Sequence, residues 1–275
     1  MRHSFGMELV LSIFPGIDLL GRAFEGEGFC VVRGPDTLWG GDVTTWHVPC
    51  GHFIGVIGGP PCQDFSSANR RKRPERGKRL LSHFVRIVEE ARPQWWLLEN
   101  VPRCPTVTVP GMVTQRIDVT GHDVGLRQWR LRHFQFAAID GAQLYVPRQR
   151  SLVNHIPAAC LATAASHGAT RWITFCRRQG LPGPLTLPPF TKAAKYAAVG
   201  NGVPLPMGRL LARAIRIRGE SRQTLCACGC GRGVTGRQVT ASAGCRKRLE
   251  RQRNSSPLPI DVQDSDAAAG IVERS

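Results

Sequence analysis

Hydrophobic residues along the chain form short apolar runs that alternate with amphipathic segments. Four runs, rich in Val, Ile, Leu and aromatic residues and interrupted or bounded by glycine or proline, have the pattern of buried strands. These runs lie at 7–14, 29–34, 52–59 and 94–101. The segment 80–91 repeats its apolar residues at helical spacing, and Pro93 predicts its end. With a turn and helix after the first run, a further strand over 131–140 and a helix over 206–217, the pattern predicts a doubly wound α/β domain.

Composition adds a strong charge asymmetry to this picture. The 275 residues carry a formal net charge of +17, which favours a polyanionic partner, most commonly nucleic acid. The alternative is a basic protein from an arginine-rich proteome that does not bind DNA. No apolar run reaches membrane-spanning length, and the start lacks the small-residue cleavage site of a signal peptide. We therefore expect a cytoplasmic protein that has no membrane partner.

Three features with chemical potential lie at the carboxyl ends of predicted strands, where open α/β sheets bind ligands. The loop FPGIDLL at 14–20 holds a glycine that allows close backbone approach to a ligand. Cys62 follows Pro60 and Pro61 just after the third apolar run, and Glu99 lies near the end of the fourth. A thiol and a carboxylate at neighbouring strand ends form a candidate nucleophile and acid pair. The alternatives are a buried structural thiol and a helix-capping glutamate.

Six motifs occur in the order found in the DNA (cytosine-5) methyltransferases, which the chain resembles from about residue 7 to 215. They are FPGIDLL at 14–20, GGD at 40–42, GGPPCQDFS at 58–66, ENV at 99–101, QWRLR at 128–132 and KYAAVGNGVPLPMG at 195–208. The resemblance implies a Rossmann-like fold that uses S-adenosylmethionine. It also implies double-stranded DNA as the substrate, with RNA cytosine methylation or a catalytically silent DNA-binding protein as alternatives.

The resemblance assigns roles to individual residues. Cys62 is expected to add to carbon 6 of a flipped-out cytosine, Glu99 to contact the base, and Arg130 and Arg132 to hold the pocket. The basic run from Arg70 to Arg79 is expected to be a mobile loop that closes on DNA phosphates. The residues expected to bind the cofactor are Phe14, Pro15, Gly16, Ile17, Asp18, Leu19, Asp36, Asp42, Pro60, Asn201 and Val203.

Three acids among these residues have different expected roles. Asp42 is expected to contact the adenine, with a plain turn residue as the alternative. Asp36 lies where an acid for the ribose is expected, after an unusual Arg-Gly-Pro sequence. Asp18 replaces a glycine that is common in the first loop, so its side chain either crowds the pocket or substitutes for another acid.

The resemblance also predicts a division of the chain. Residues 1–140 form the first part of the catalytic core and 171–220 its closing segment, which leaves 141–170 as a short target-recognition region. A basic Cys-rich module follows at 221–254, and 255–275 is polar and expected to be disordered. We expect the protein to act as a monomer.

Cysteine is distributed unevenly. Six of the ten cysteines are scattered, whereas Cys226, Cys228, Cys230 and Cys245 lie close together and are candidate ligands of one tetrahedral zinc. The segment resembles zinc-ribbon-like tails that end in a Cys-Arg-Lys-Arg helix, except that Ala241 stands where such tails often have a cysteine. The alternative is a flexible basic tail with free thiols. In either case its arginines would add sequence-independent affinity for phosphates.

Overall fold

The computed structural model describes residues 9–66, 73–126, 128, 130–148, 171–187, 190–218, 226–230, 232 and 239–254. Its strands are β1 (Leu9–Ile13), β2 (Cys30–Arg33), β3 (Gly55–Gly58), β4 (Trp95–Asn100), β5 (Gln115–Thr120) and β6 (Leu131–Ala138). Its helices are α1 (Leu19–Glu25), α2 (Pro74–Ala91), α3 (Trp172–Arg178), α4 (Lys192–Asn201), α5 (Leu205–Ile217) and α6 (Ala243–Asn254).

The strands form one mixed sheet in the order β2-β1-β3-β4-β6-β5. The first four strands of this order run parallel, and β6 runs antiparallel to both β4 and β5. The chain crosses from one side of β1 to the other between β2 and β3, so the carboxyl ends of β1 and β3 flank a topological switch point. Ligands of open α/β sheets bind at such a point.

Helices cover both faces of the sheet. On one face, Phe24 of α1 and Leu211 of α5 pack against strand residues such as Ile57 and Leu97. On the other face, Phe84 and Val88 of α2 are buried with alternate residues of the same strands. The short parallel strands are apolar because helices cover both of their faces. The predicted α/β fold is confirmed.

The edge strand β5 was not predicted from the sequence. Its residues alternate strictly between buried and exposed positions, but Arg116 and Asp118 break the apolar run. Beyond β5, the Gln115 side chain bonds both to the amide of Leu144 at 2.7 Å and to its carbonyl at 3.0 Å. These bonds attach an extended segment to the edge of the sheet, where Leu144 and Val146 are buried in the core. The rest of the predicted recognition region, 149–170, lies outside the described residues.

Helix α2 corrects the prediction of a mobile loop from Arg70 to Arg79. The helix begins at Pro74, six residues before the start that apolar spacing predicted, so its first two turns include Arg76, Lys78 and Arg79 of the basic run. Proline is well suited to the first helical position, and the carboxylate of Asp64 accepts a hydrogen bond from the amide of Arg73 at 3.0 Å. The loop prediction is therefore wrong for 74–79, and 67–72 lie outside the described residues.

Helices α3 and α4 were likewise not predicted. They pack with the first loop in a separate cluster in which Phe175 and Tyr196 have ring centroids 4.8 Å apart. None of the helices in the described part of the chain is long and apolar enough to cross a bilayer.

Candidate active site

The loop after β1 has an unusual backbone. Phe14, Gly16 and Asp18 all have φ between 54° and 56°, in the left-handed region that non-glycine residues seldom adopt. Two non-glycine residues in this conformation within five positions carry a conformational cost of order 1–3 kcal/mol each. Such costs are typical of functional loops that the surrounding structure holds in place.

Asp18 is fixed by the helix that it precedes. Its carboxylate accepts hydrogen bonds from the Ser12 hydroxyl at 2.8 Å and the Gly21 amide at 2.9 Å, and it pairs with Arg33 at 2.9 Å. A β-carbon at Gly21 would overlap this carboxylate, so the glycine is required by the aspartate. Burial raises the pKa of Asp18, against the effects of Ser12 and Arg33. Asp18 thus caps α1 and shapes the loop.

Asp36 clamps the same loop from the other side. Its two carboxylate oxygens accept hydrogen bonds from the amides of Gly16, at 2.9 Å, and Leu38, at 2.8 Å. The indole of Trp39 donates to the carbonyl of Gly16 at 2.7 Å. The loop after β1 and the turn after β2 are therefore held together around Gly16.

A cavity of about 450 Å³ opens at the switch point. The predicted cofactor residues among its lining are Phe14, Pro15, Gly16, Ile17, Asp18, Leu19, Asp36, Asn201 and Val203. Helix α4 contributes Ala194, Ala197 and Ala198, whose small side chains leave the space open. The size and the largely apolar lining with a few polar groups suit a small organic ligand. Asp42 does not line this cavity: its exposed carboxylate bonds to the amide and hydroxyl of Thr44.

The nucleophile loop is anchored by the motif at the end of β4. The Asn100 side chain donates to the carbonyl of Pro60 at 3.1 Å, and both residues are buried. The carbonyl of Cys62 accepts hydrogen bonds from the amides of Phe65 and Ser66, so the chain turns sharply after the cysteine. Cys62 itself is half-buried. Asn100 was not singled out from the sequence, although it stands within ENV.

Glu99 and Arg132 meet beside this loop. The guanidinium Nε of Arg132 lies 2.9 Å from Glu99 Oε1, and the two side chains are 11% and 10% exposed. A β-carbon at Gly59 would lie 3.3 Å from the other carboxylate oxygen, so Glu99 packs against the backbone just before the two prolines. The buried Arg130 donates to the carbonyl of Gly202 at 3.0 Å and so ties β6 to the turn after α4. The predicted catalytic residues thus lie together.

Electrostatics couple the thiol and the carboxylate. Burial raises the pKa of Cys62, and the negative charge of Glu99 raises it further, against the opposing charges of Arg132 and Arg130. Burial likewise raises the pKa of Glu99, against the same two arginines. These influences favour the thiol form of Cys62, and neutralising Glu99 favours the thiolate.

The match to known protein families includes two of the six motifs, GGPPCQDFS at 58–66 and ENV at 99–101. Residues 43–107 match the family model for C-5 cytosine-specific DNA methylases. The chain is 50% identical over 48 residues to the type II methyltransferase M.HgiGI of Herpetosiphon aurantiacus, and 33% identical over 112 residues to M.AgeI of Thalassovita gelatinovora. The resemblance to the DNA (cytosine-5) methyltransferases is confirmed.

These sequence matches are local. They cover 18% of this chain and 38% of M.HgiGI, and 36% of this chain and 26% of M.AgeI. The fold extends further: the structure matches Entamoeba histolytica methyltransferase EhMeth with a TM-score of 0.60 and 11% identity over 79% of this chain and 100% of that one. S. pombe Dnmt2 methyltransferase gives a TM-score of 0.54 and 11% identity over 77% of this chain and 98% of that one. The methyltransferase fold is therefore shared well beyond the segment with sequence similarity.

Near the carboxyl end of the described chain, four cysteines form a compact cluster. The sulfur atoms of Cys226, Cys228, Cys230 and Cys245 all lie within 4.8 Å of one another. The Cys226–Cys228 and Cys230–Cys245 sulfur distances are 3.5 and 3.7 Å. Four sulfurs at about 2.3 Å from a tetrahedral zinc would be separated by about 3.8 Å. The cluster therefore has the dimensions of a zinc site.

The surroundings of the cluster suit thiolates. The amide of Ala241 donates to the Cys226 sulfur at 3.1 Å, and the Arg232 guanidinium contacts the sulfurs of Cys230, at 3.3 Å, and Cys245, at 2.6 Å. Burial opposes ionisation of Cys230, but the hydrogen bonds from Arg232, Cys228 and Cys245 together lower its pKa to about 6, whereas burial raises the pKa of Cys228 to about 12. Backbone amides and a guanidinium are the partners expected around negatively charged sulfur.

Proposed function

We propose that this protein transfers a methyl group from S-adenosylmethionine to carbon 5 of a flipped-out cytosine in duplex DNA, through a covalent adduct of Cys62. The observation that carries the proposal is the buried Glu99–Arg132 pair, which acts electrostatically on Cys62 while Glu99 lines the cavity at the switch point. A nucleophile, a base-binding carboxylate and a ligand cavity are thereby combined at one sheet edge.

The cavity suits the cofactor. Asp36 follows Gly16 by twenty residues, as an acid that binds a ribose does in nucleotide-binding α/β folds. Its carboxylate would accept hydrogen bonds from the ribose hydroxyls, and the alanines of α4 would leave room for the rest of the molecule. Asn201 and Val203 would complete the pocket, and an adenine contact by Asp42 stays a prediction. S-adenosylmethionine, when bound, supplies a methyl group on a sulfonium.

Cys62 is needed because carbon 5 of cytosine is a poor nucleophile. When the thiolate adds at carbon 6, the electron pair of the 5,6 double bond makes carbon 5 nucleophilic. Carbon 5 would then take the methyl group, and the electron pair of the broken sulfur–methyl bond would remain on the donor, which leaves as a neutral thioether. The proton on carbon 5 then leaves to a solvent base, and its electron pair re-forms the double bond as the sulfur is expelled. The thiolate is regenerated, so the residue acts as a covalent catalyst.

Glu99 provides the hydrogen bond to the base that accompanies addition of the thiolate. Glu99 is charged when it pairs with Arg132, and burial raises its pKa, so the carboxyl group can take a proton from solvent when the base binds. The protonated group then donates a hydrogen bond to nitrogen 3 of the base and stabilises the charge that develops when sulfur adds. Because a neutral Glu99 no longer raises the pKa of Cys62, binding of the base also favours the thiolate. Arg132 holds the carboxyl group in position, and the base must leave the duplex stack at a cost of a few kcal/mol.

Labelling with a tritiated methyl donor tests the choice of substrate. Plasmid DNA is expected to incorporate methyl groups, and transfer RNA under matched salt is not, since the matching family model is one of DNA methylases. Bisulfite sequencing of the labelled plasmid should place the modification on carbon 5 of cytosine. Preferential labelling of transfer RNA would favour the RNA alternative, and no labelling of either would leave a silent DNA-binding protein.

The division of the chain remains part of the proposal. We assign the catalytic residues to 1–140 and the closing of the cofactor pocket to 171–220, because Glu99 and Arg132 pair within the first segment and Asn201 and Val203 line the cavity from the second. Sequence recognition is assigned to 141–170, although Leu144 and Val146 also contribute to the core.

We also propose that the cysteine cluster holds one structural zinc. The sulfur geometry fits a tetrahedral site, and Arg232 would offset the net negative charge of a zinc bound by four thiolates. Residues 231 and 233–238 lie outside the described part of the chain, and the four cysteines themselves lie at 226–230 and in α6.

Elemental analysis tests this site. The purified protein is expected to contain about one zinc per chain, and Cys245→Ser is expected to lose it because a structural site needs all four ligands. The matched control is Cys50→Ser, which changes an exposed cysteine outside the cluster and should retain the metal. Protein that neither contains zinc nor takes it up after reduction would contradict the proposal.

A further inference from the structure

A second, larger cavity of about 650 Å³ lies where the Cys-rich module meets the sheet. One wall comes from the edge strand β5 and the extended segment that follows β6. The other comes from Cys230, Arg232 and Arg248 of the module. We call this cavity the edge cleft. It lies outside the cofactor cavity and has no role in the chemistry proposed above.

The edge cleft is mainly basic. Arg116 and Arg148 line it from the core, and Arg232 and Arg248 line it from the module. Arg116 is directed to the carbonyls of the loop after β4, and Arg232 to the cysteine sulfurs, so both support the walls. Arg148 and Arg248 have exposed side chains, and Arg148 makes one bond to the carbonyl of Asp118 at 2.8 Å. These two arginines are therefore the natural anion ligands.

The two acids that line the edge cleft are already engaged. The carboxylate of Asp118 contacts Nδ1 of His133 at 2.7 Å, and the Asp118 pKa is lowered by that bond. The carboxylate of Asp123 accepts hydrogen bonds from the amide and the hydroxyl of Thr120, at 2.7 and 2.9 Å. Among the described lining residues, four arginines thus face two acids whose carboxylates are held in local contacts.

The register of the sheet relates the edge cleft to the active site. Asn100 pairs with His133 across β4 and β6, and His133 pairs with Asp118 across β6 and β5. Asp118 is therefore two strands away from Asn100 at the same level of the sheet, a separation of about 10 Å. That is about three base pairs along a duplex, at one phosphate charge per ~1.7 Å of helix axis.

We propose that the edge cleft binds the phosphate backbone of the same DNA duplex whose cytosine enters the active site, with Arg148 and Arg248 as its phosphate ligands. The inference rests on the proposed function. Two further observations favour DNA: the segment 149–170, predicted to recognise the target, follows Arg148 directly, and Tyr145 presents a 41% exposed ring in the cleft. The Cys-rich module thus acts as the second wall of a groove that is shared with the core.

The test is the salt dependence of DNA binding by the double variant Arg148→Ala/Arg248→Ala. Binding is measured on one duplex without methyl donor. The slope of log affinity against log salt should become shallower by about 1.8, because each phosphate that is no longer neutralised changes it by ~0.9. The KM for DNA should rise while kcat stays unchanged, because the two arginines bind the phosphates equally well in the ground and transition states.

The matched control removes the same charge elsewhere. Arg22→Ala/Arg177→Ala changes two exposed arginines that line neither cavity, and it should keep the wild-type slope and KM. A second variant, Arg248→Glu, leaves the Arg148 side chain intact and should weaken binding more than Arg248→Ala does. If the control changes the slope as much as Arg148→Ala/Arg248→Ala does, the inference is overturned. It is also overturned if the wild-type protein is active and Arg148→Ala/Arg248→Ala keeps the wild-type slope and KM. If the wild-type protein itself labels no DNA, the proposed function fails instead.

Discussion

Replacement of Cys62 by serine is expected to abolish methyl transfer and to leave cofactor binding measurable. The serine hydroxyl is far less acidic than a thiol, so addition to carbon 6 loses its nucleophile. Cys62 is not part of the lining of the cofactor cavity, whose walls come from the first loop, Asp36 and α4. Methyl transfer should fall by several orders of magnitude, and calorimetric binding of S-adenosylmethionine should change little.

A trapping experiment tests the same residue directly. DNA that contains 5-fluorocytosine should form a denaturation-resistant adduct with the wild-type protein, because fluorine blocks the loss of the substituent at carbon 5. The Cys50→Ser control should form it equally well, since Cys50 is exposed and lies outside the motif at 58–66. An adduct of equal yield with Cys62→Ser would show that another group is the nucleophile.

The positions of Cys62 and Glu99 in the fold could be predicted from the sequence because strand ends are easy to locate in an α/β fold. Glu99 follows a continuous apolar run, and Cys62 follows two prolines after another, so both fall at the carboxyl edge of a parallel sheet. Parallel strands place such positions side by side. Arg132 is different: its contact with Glu99 depends on β6 running antiparallel to β4, and it was expected from the family resemblance.

Supporting contacts were harder to predict. The hydrogen bond from Asn100 to the carbonyl of Pro60 joins a strand end to a loop forty residues away, and no local pattern encodes it. Asp18 was ambiguous for the same reason, because only the fold brings Arg33 and Ser12 to its carboxylate. The start of α2 was missed because its first two turns are mostly charged and their contact with the core is made by the buried Gly77. Apolar periodicity does not register such a turn.

Glu99→Gln is expected to change two measurements in opposite directions. Methyl transfer should fall by about 10²- to 10³-fold, because glutamine cannot supply the proton that stabilises the charge on the base. Alkylation of Cys62 by iodoacetamide at pH 8 should become faster, because the substitution removes the negative charge that raises the Cys62 pKa and leaves Arg132 and Arg130 to favour the thiolate. The pH profile of alkylation should move towards lower pH.

The size of the second effect follows from two opposing influences. Each unit by which the Cys62 pKa falls raises the thiolate fraction tenfold below that pKa, while the nucleophilicity of the thiolate decreases with a Brønsted coefficient of ~0.4–0.5. The net acceleration is therefore about three- to fourfold per unit. Peptide-resolved mass spectrometry separates Cys62 from the exposed Cys50, whose rate serves as the internal reference and should not change. A purely structural disturbance would change the alkylation rates of both cysteines, or it would make Cys62 react faster at every pH without shifting its pH profile. Slower alkylation of Cys62 in Glu99→Gln would mean that the carboxylate favours the thiolate, and the coupling between the two groups would have the opposite sign.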